Sequence, residues 1–205
     1  LRISFFFFTK EIINISKQQT DGVLTLFKNG MPQNSWLIYS KEVSLSPGIK
    51  NELSHDVKTP TKLKESQSVE ISFAIALDKD KNIMPLNDAV IYTYLPTSYS
   101  FGLNFIVNAN FITDAGRQQI VKDCAWNEFI FSQIPSLYLN WIASNVAPLH
   151  SDWYKVLPSF SAKEDELSIA YMCSLNKAIN NIQFVKTKCG KKALVKECIQ
   201  DPYNL

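Results

Sequence analysis

The sequence predicts an α+β protein in which a mostly antiparallel, twisted sheet comes first and the helices that pack on it follow. Two observations predict this order. Residues 1–112 consist of short apolar or alternating segments separated by turn residues, whereas residues 113–205 space their apolar residues in the three- and four-residue steps of helices. The content of 46% hydrophobic and 20% charged residues is ordinary for a folded chain of 205 residues, so we expect one compact piece.

Seven segments of the first part have the composition of strands, and turn signals such as Asn29-Gly30 separate them. They are Leu1–Phe8, Glu11–Ile15, Gly22–Lys28, Ser35–Val43, Val69–Leu77, Ala89–Leu95 and Leu103–Phe111. An antiparallel meander is the natural packing of such segments. The first of them is too short to cross a bilayer and lacks the cleavage site of a signal peptide. Because it opens the chain without a methionine, in the middle of an apolar run, it suggests a piece of a longer protein.

Two stretches between the strands have the composition of loops. Residues 44–68 are rich in Lys, Glu, Ser and Pro and have no sustained period, which predicts an exposed, mobile loop with a solvated His55. Residues 78–88 open with DKDKN, where Asp78 and Asp80 suggest a cation. This stretch lacks the glycine and the distant glutamate of a calcium loop, so we expect no metal site there.

Helices are predicted in residues 113–205. The first begins at Asp114, a good N-cap, and carries Arg117 in its first turn. The second has one wide apolar face, and Pro135 is expected to bend or divide it. The residues of this face are Trp126, Phe129, Ile130, Ile134, Leu137, Tyr138, Trp141 and Ile142.

A further helix is expected after Ser161, where Glu164 completes a capping box. Its predicted apolar side consists of Tyr171, Leu175, Ala178, Ile179 and Ile182. The chain then ends in a short hairpin, with strands at 184–188 and 193–199 on either side of a Cys-Gly turn.

Charge and cysteine content narrow the classes of function. The net charge of +2 is too small to indicate nucleic acid or a membrane surface as a partner. The four cysteines form no CxxC pair, although a disulfide between Cys189 and Cys198 across the hairpin is conceivable. We expect reduced thiols, and therefore a cytoplasmic protein. A hydrolase would need the fold to bring Cys124 or Cys173 to His150.

Phosphate chemistry is the best-supported chemistry in the sequence, and it centres on Arg117. The start of a helix offers free N–H groups to an anion, Gly116 leaves the backbone open, and a guanidinium binds phosphate oxygens bidentately. The alternative is a solvated arginine, or one paired with a nearby carboxylate. The chain has no GxGxxG, Walker loop or HExxH, so it cannot build a phosphate-cradling loop by itself.

Residues 94–127 resemble the segment that follows the ATP-binding domain in large GHKL-type ATPases. The likeness is to the sacsin-like and bacterial proteins and, more distantly, to the ninety-kilodalton heat-shock chaperones. It rests on YLPT (94–97), FIVNANFIT (105–113), AGRQQI (115–120) and WN (126–127). The end of the chain, FVKTKCGKKALVKECIQDP, resembles the strand, glycine turn and short strand that follow the helices of sacsin-like proteins.

The resemblance implies a middle, or transducer, domain with the ribosomal-protein-S5-domain-2-like fold of those chaperones and without a nucleotide-binding domain. In the chaperones, an arginine at the position of Arg117 reaches the terminal phosphate of ATP in the neighbouring domain. The resemblance therefore implies that Arg117 senses the γ-phosphate, and Asn108, Asn110 and Gln118 are candidates for holding its loop. The chaperones place a glutamine four residues after that arginine, where this chain has Val121.

The same resemblance sets the expected cofactors and partners. ATP and Mg are expected in the parent protein, whereas the chain alone is not expected to hydrolyse ATP. The expected partner is the N-terminal ATP-binding domain of the same protein, with a protein client or a second copy as further partners. The alternative is a non-catalytic protein–protein interaction module, which would use residues 44–68 and the apolar first strand as its contact surface.

Overall fold

The structure is a computed structural model that describes residues 15–20, 22–157, 165–187 and 189–198. Over these residues it contains an eight-stranded sheet, a two-stranded sheet and four α-helices. The strands are β1 Ile15–Thr20, β2 Val23–Lys28, β3 Met31–Ser44, β4 Ser68–Leu77, β5 Ile83–Met84, β6 Ala89–Thr93, β7 Leu95–Leu103, β8 Ile106–Ala109, β9 Val185–Lys186 and β10 Lys192–Ala193. The helices are α1 Pro47–His55, α2 Thr61–Lys64, α3 Ala125–Trp141 and α4 Glu166–Asn181.

The large sheet has the strand order β1-β2-β3-β4-β8-β6-β7, and β5 pairs with β4 off this path. All its pairings are antiparallel except that of β6 with β8, which is parallel. The predicted α+β class and the mostly antiparallel sheet are therefore confirmed. The predicted meander is right for β1 to β4 and wrong beyond them, because β8 returns between β4 and β6 instead of lying beside β7.

The helices α3 and α4 pack on one face of this sheet through a cluster of aromatic rings. Phe73 of β4 meets Tyr138 edge-on, with ring centroids 5.3 Å apart, and stacks on Trp141 at 6.2 Å. On β7, at the far edge of the sheet, Phe101 meets Phe131 of α3 edge-on at 4.7 Å. Such contacts add to the hydrophobic burial that holds helix and sheet together. The packing of C-terminal helices on the sheet is as predicted.

The predicted apolar face of α3 is buried, apart from the half-buried Leu137. Pro135 does not divide the helix, which continues through it to Trp141 and then into a π-helical turn, Ile142–Val146. A proline inside a helix removes one backbone hydrogen bond. Burial of the apolar residues on both sides of Pro135 offsets this loss, so of the two predicted outcomes, a bend or a division, the division does not occur.

Residues 44–68 are not the exposed loop that their composition predicts. The helix α1 begins after Ser46, whose hydroxyl accepts a hydrogen bond from the Ile49 N–H at 3.4 Å, and Pro47 occupies its first turn. Leu53 of this helix is fully buried in the core. This leucine and the partly buried Ile49 attach an otherwise polar helix, so a prediction from average composition missed it. His55 is exposed, as expected.

Asp56, directly after α1, fastens this segment to the start of α3. Its carboxylate accepts hydrogen bonds from the Lys58 N–H at 2.9 Å, the Thr59 hydroxyl at 2.6 Å and the Ala125 N–H at 3.0 Å. The residue before α3 provides no side-chain cap, so Asp56 takes that place from a distance in the sequence. Partial burial acts to raise the pKa of Asp56, but these hydrogen bonds outweigh it and lower the pKa below its ordinary value.

We expect Asp56→Ala to lower the free energy of unfolding by about 1–2 kcal/mol at neutral pH, because it removes this cap. The folded state holds the pKa of Asp56 below the unfolded value of 3.8, so the stabilisation is present above that pH and is lost as the pH falls below it. Urea unfolding of the original and the Asp56→Ala proteins should show a difference in the free energy of unfolding that disappears in acid. Asp123→Ala, which removes a surface ion pair with Lys58, is the matched control and should cost less than about 1 kcal/mol. A difference in the free energy of unfolding that persists in acid would contradict this account.

Several strand boundaries differ from those predicted. β1 runs from Ile15 onwards, whereas the predicted segment ended there, because its polar sequence does not have the composition of a strand. β7 was missed because Pro96 and Gly102 are typical of turns, although an edge strand tolerates proline.

The predicted first strand, 1–8, and the capping box at 161–164 lie outside the described residues. A closing hairpin is present as the antiparallel pair β9 and β10. Its predicted second strand, 193–199, is wrong beyond Ala193 over the described residues, because Val195–Glu197 forms a 3-10 helical turn. None of the described helices is long and apolar enough to span a membrane.

Candidate functional site

Arg117 lies on a hairpin-like loop and not in the first turn of a helix, so that part of the prediction was wrong. Thr113 and Ile120 form an antiparallel bridge that closes the loop, and we call residues 113–120 the arginine loop. Within it, the Arg117 N–H donates to the Asp114 carbonyl oxygen at 3.0 Å. The φ angle of Arg117 is +55°, a left-handed conformation that no helix residue adopts. The following helix, α3, begins only at Ala125.

The side chain of Asp114 explains why the sequence signal was misread. A helix N-cap accepts hydrogen bonds from the N–H groups two or three residues further on. Here the Asp114 Oδ1 accepts from the N–H groups of Gln118, at 2.9 Å, and Gln119, at 3.2 Å, which lie four and five residues further on. The same carboxylate that can begin a helix therefore closes a loop.

Asn127, near the start of α3, holds the base of the arginine loop. Its side chain is fully buried. The Oδ1 accepts the Ile112 N–H at 2.9 Å, and the Nδ2 donates to the carbonyl oxygens of Ile112, at 2.8 Å, and Val121, at 2.7 Å. Ile112 and Val121 are also joined by a backbone hydrogen bond of 3.0 Å. Both ends of the loop are therefore fixed to one buried amide.

Neighbouring contacts tie the same region to the rest of the fold. The indole Nε1 of Trp126, a buried residue, donates to the Asn110 carbonyl oxygen at 2.7 Å. On the exit side of the loop, Lys122 pairs with Asp165, the N-cap of α4, at 3.1 Å. Burial acts to raise the pKa of Asp165, but hydrogen bonds from Ser168 and Lys122 lower it below its ordinary value. The loop is therefore held from the sheet, from α3 and from α4.

The structure places the predicted site residues in different roles around this loop. Arg117 is exposed, and none of the ion pairs among the described residues includes it. Gln118 is also exposed, and its carbonyl oxygen accepts the Ser98 N–H at 2.8 Å. Asn110 supports the loop entry through its backbone. Asn108 instead holds the turn between β6 and β7, since its Oδ1 accepts the Tyr94 N–H at 2.8 Å.

Asn127 is the residue whose importance sequence analysis missed. The sequence analysis used Asn127 only as the second residue of the WN motif and predicted no role for it. A signal was present, because Asn127 is a polar residue on the predicted buried surface of a helix, between Trp126 and Phe129. A buried amide in such a place requires hydrogen-bond partners. In this protein those partners are the two ends of the arginine loop.

The described residues offer little other site chemistry. They contain no group of three or more His, Cys, Asp or Glu side chains that could hold a metal ion. Asp78 instead orders its own turn by accepting the N–H groups of Asp80 and Asn82. All four cysteines are free, so the disulfide between Cys189 and Cys198 is not formed. Burial raises the pKa of the Cys124 thiol to about 11, which makes it a poor nucleophile at neutral pH.

The fold and the loop together define an α+β domain that presents one exposed arginine on a firmly held hairpin. In sequence, this chain is similar to Protein NO VEIN of Arabidopsis thaliana, with 23% identity over 155 residues. That alignment covers 74% of this chain but only 5% of the relative, so the chain spans a small part of the relative's length. No protein-family model matches the chain, and no solved structure matches it.

Proposed function

We propose that this chain is the middle, or transducer, domain of a sacsin-like or heat-shock-chaperone-like GHKL ATPase. In this proposal Arg117 contacts the terminal phosphate of ATP that a neighbouring nucleotide-binding domain holds. The observation that carries the proposal is the combination of an exposed guanidinium and a loop whose two ends are fixed by Asn127. A cation held in place before the reaction stabilises charge on a transferring phosphoryl group without reorganisation cost.

The charge of Arg117 is available for such a contact. The carboxylate nearest to it in sequence is that of Asp114, whose Oδ1 is already occupied by two backbone N–H groups. Among the described residues, the basic partners in ion pairs are Lys58, Lys122 and Lys155. A guanidinium without an internal carboxylate partner suits an anion brought by another domain.

The mechanism that we propose is domain closure coupled to nucleotide state in a cytoplasmic protein. ATP and Mg would be held by the neighbouring domain, which supplies the phosphoryl group and the metal. The residues of this chain would position the arginine: Asp114 closes the loop, Asn127 fixes its base, and Arg117 reaches out of it. Because the chain has no phosphate-cradling loop of its own, we do not expect it to hydrolyse ATP alone.

Steady-state ATP hydrolysis by the full-length protein tests this proposal. We expect Arg117→Ala to lower turnover about a hundredfold or more, with unchanged nucleotide affinity, because one charge contact in the transition state is lost. Arg117→Lys keeps the charge but not the planar fork, so it should recover only part of the activity. Lys28→Ala, which removes an exposed cation from the end of β2, is the control and should leave turnover unchanged.

Unchanged turnover in the Arg117→Ala protein would reject the phosphate role and favour the second candidate, a non-catalytic interaction module. The observation in favour of that module is Val57, which is 93% exposed in the turn between α1 and α2. One exposed apolar residue is ordinary on a protein surface, so this module stays the second candidate and Val57 is its probe. Under this alternative, Val57→Ser should abolish capture of the partner, whereas Arg117→Ala should not affect it.

A further inference from the structure

We infer that the turn between β6 and β7, residues 93–95, and the arginine loop form one contact surface for the nucleotide-binding domain, with Tyr94 as its second anchor beside Arg117. This inference rests on the proposed function and adds to it the surface that the neighbouring domain would touch. Four observations carry it: the position of the turn, its backbone conformation, the exposure of its side chains and the chemistry of the pair.

The turn and the arginine loop lie at the same end of the sheet. The strands β6 and β8 are parallel, so the turn that follows β6 and the loop that follows β8 leave from the same end. The Thr93 hydroxyl donates to the Phe111 carbonyl oxygen at 3.3 Å, just before the loop. At the other side of the hairpin, the Ser98 N–H donates to the Gln118 carbonyl oxygen at 2.8 Å. The loop therefore passes from β8 to the outer edge of β7, next to the turn.

Tyr94 occupies a backbone conformation that a large side chain rarely adopts. Its φ angle is +64°, in the left-handed region where glycine or asparagine is the usual residue. The hydrogen bond from its N–H to the Asn108 Oδ1 keeps it there. Packing of the ring offsets little of this strain, because Tyr94 is 62% exposed. Its ring stacks on no other ring among the described residues. Strain of this kind, where it persists, is found at functional sites.

The other described residues with positive φ show that this case is unusual. Apart from glycines, they are Asn29, Lys81, Asp88 and Arg117. Asn29 and Asp88 belong to residue types that tolerate the left-handed region. Lys81 gains an internal contact, since its Nζ donates to the Ser35 hydroxyl at 2.8 Å. Tyr94 and Arg117 are thus the two large side chains that are strained, exposed and without such a contact, and they lie at the same end of the sheet.

The chemistry of this surface matches the partner that we propose. Tyrosine and arginine are, with tryptophan, the residue types enriched among the anchors of protein–protein contacts. Leu95, 40% exposed, extends the apolar part of the surface next to Tyr94. The guanidinium of Arg117 adds a positive charge to the same surface. A domain that brings the anionic phosphates of ATP is complementary in charge to the guanidinium of this surface.

The substitution Tyr94→Gly separates a contact role from a structural one. Glycine adopts the observed φ without strain, so the thermal midpoint of the variant should stay equal or rise. In the full-length protein, we expect kcat to fall about tenfold while the affinity for ATP is kept, because closure onto the bound nucleotide loses one anchor. Tyr94→Phe should keep most of the turnover. Lys81→Gly makes the same backbone change at the opposite end of the sheet and should leave kcat unchanged.

The possible results distinguish this inference from the proposed function. A thermal midpoint that falls together with kcat in Tyr94→Gly would assign the ring a structural role and overturn the inference. Unchanged kcat in Tyr94→Gly, with a hundredfold loss in Arg117→Ala, would remove the turn from the surface and leave the proposed function standing. If neither substitution changes turnover, the proposed function fails and this inference fails with it.

Discussion

Replacement of Asn127 by leucine is expected to lower the free energy of unfolding by about 2–4 kcal/mol and to loosen the arginine loop. Leucine has a similar volume but cannot form hydrogen bonds, so the Ile112 N–H and the Val121 carbonyl oxygen lose their side-chain partner. Each such group left without a partner costs about 1–3 kcal/mol. Urea unfolding measures the loss of stability, and limited trypsin digestion after Arg117 measures the loosening of the loop.

The matched control for Asn127→Leu is Asn140→Leu on the same helix. Asn140 is exposed, and its Nδ2 donates only to the Ser136 carbonyl oxygen one turn earlier. A surface change of this kind should shift stability by less than about 0.5 kcal/mol and leave trypsin cleavage unaltered. Equal effects of the two substitutions would show that the buried amide does not fix the loop.

Replacement of Phe73 by alanine is expected to have an equal or larger effect on stability, about 3–5 kcal/mol. Phe73 is 1% exposed and lies in the central part of β4. Its ring touches four others, with centroids 5.3–6.2 Å away, which are those of Tyr39, Phe105, Tyr138 and Trp141. Rigid rings cannot collapse into the space that the substitution leaves, so a cavity remains. Thermal and urea unfolding both measure the effect.

Two further substitutions make the Phe73 result interpretable. Phe73→Leu keeps most of the volume and should cost less than half as much as the alanine variant. Phe27→Ala removes the same side chain from the half-buried strand β2, outside the aromatic cluster, and should also cost less. A cost below about 1 kcal/mol for Phe73→Ala would mean that the aromatic cluster is not the centre of the core.

The parts of the fold that sequence predicted are those with a strong local pattern. The apolar stripe of α3 marks both the helix and its buried face, and the unbroken apolar run of β4 marks a strand that is buried on both faces. Residues 44–68 carry no such pattern, because α1 has one buried residue, Leu53, and is otherwise held by the partly buried Ile49 and by the long-range hydrogen bond of Asp56. The return of β8 between β4 and β6 was also beyond prediction. It depends on pairings between residues far apart in sequence, which periodicity does not encode.

The candidate site shows the same division between local and long-range signals. Arg117 was identified from its neighbours, and Asp114 was recognised as the point where the strand ends, although the helix predicted to begin there was wrong. Whether Asp114 begins a helix or closes a loop depends on Asn127, a residue thirteen positions later, and on the bridge between Thr113 and Ile120. Local sequence is equally compatible with both outcomes. The phosphate contact itself stays a prediction.

The position of β8 has a mechanical consequence. This strand has only four residues, yet β4 on one side and β6 on the other are joined through it. The arginine loop is its direct continuation. A pull on Arg117 during domain motion would therefore be shared between the hydrogen bonds of β8 to its two neighbours, the buried amide of Asn127 in α3 and the hydrogen bond from Ser98 in β7. The load would pass into the sheet and into the helix together, and not through one strand alone.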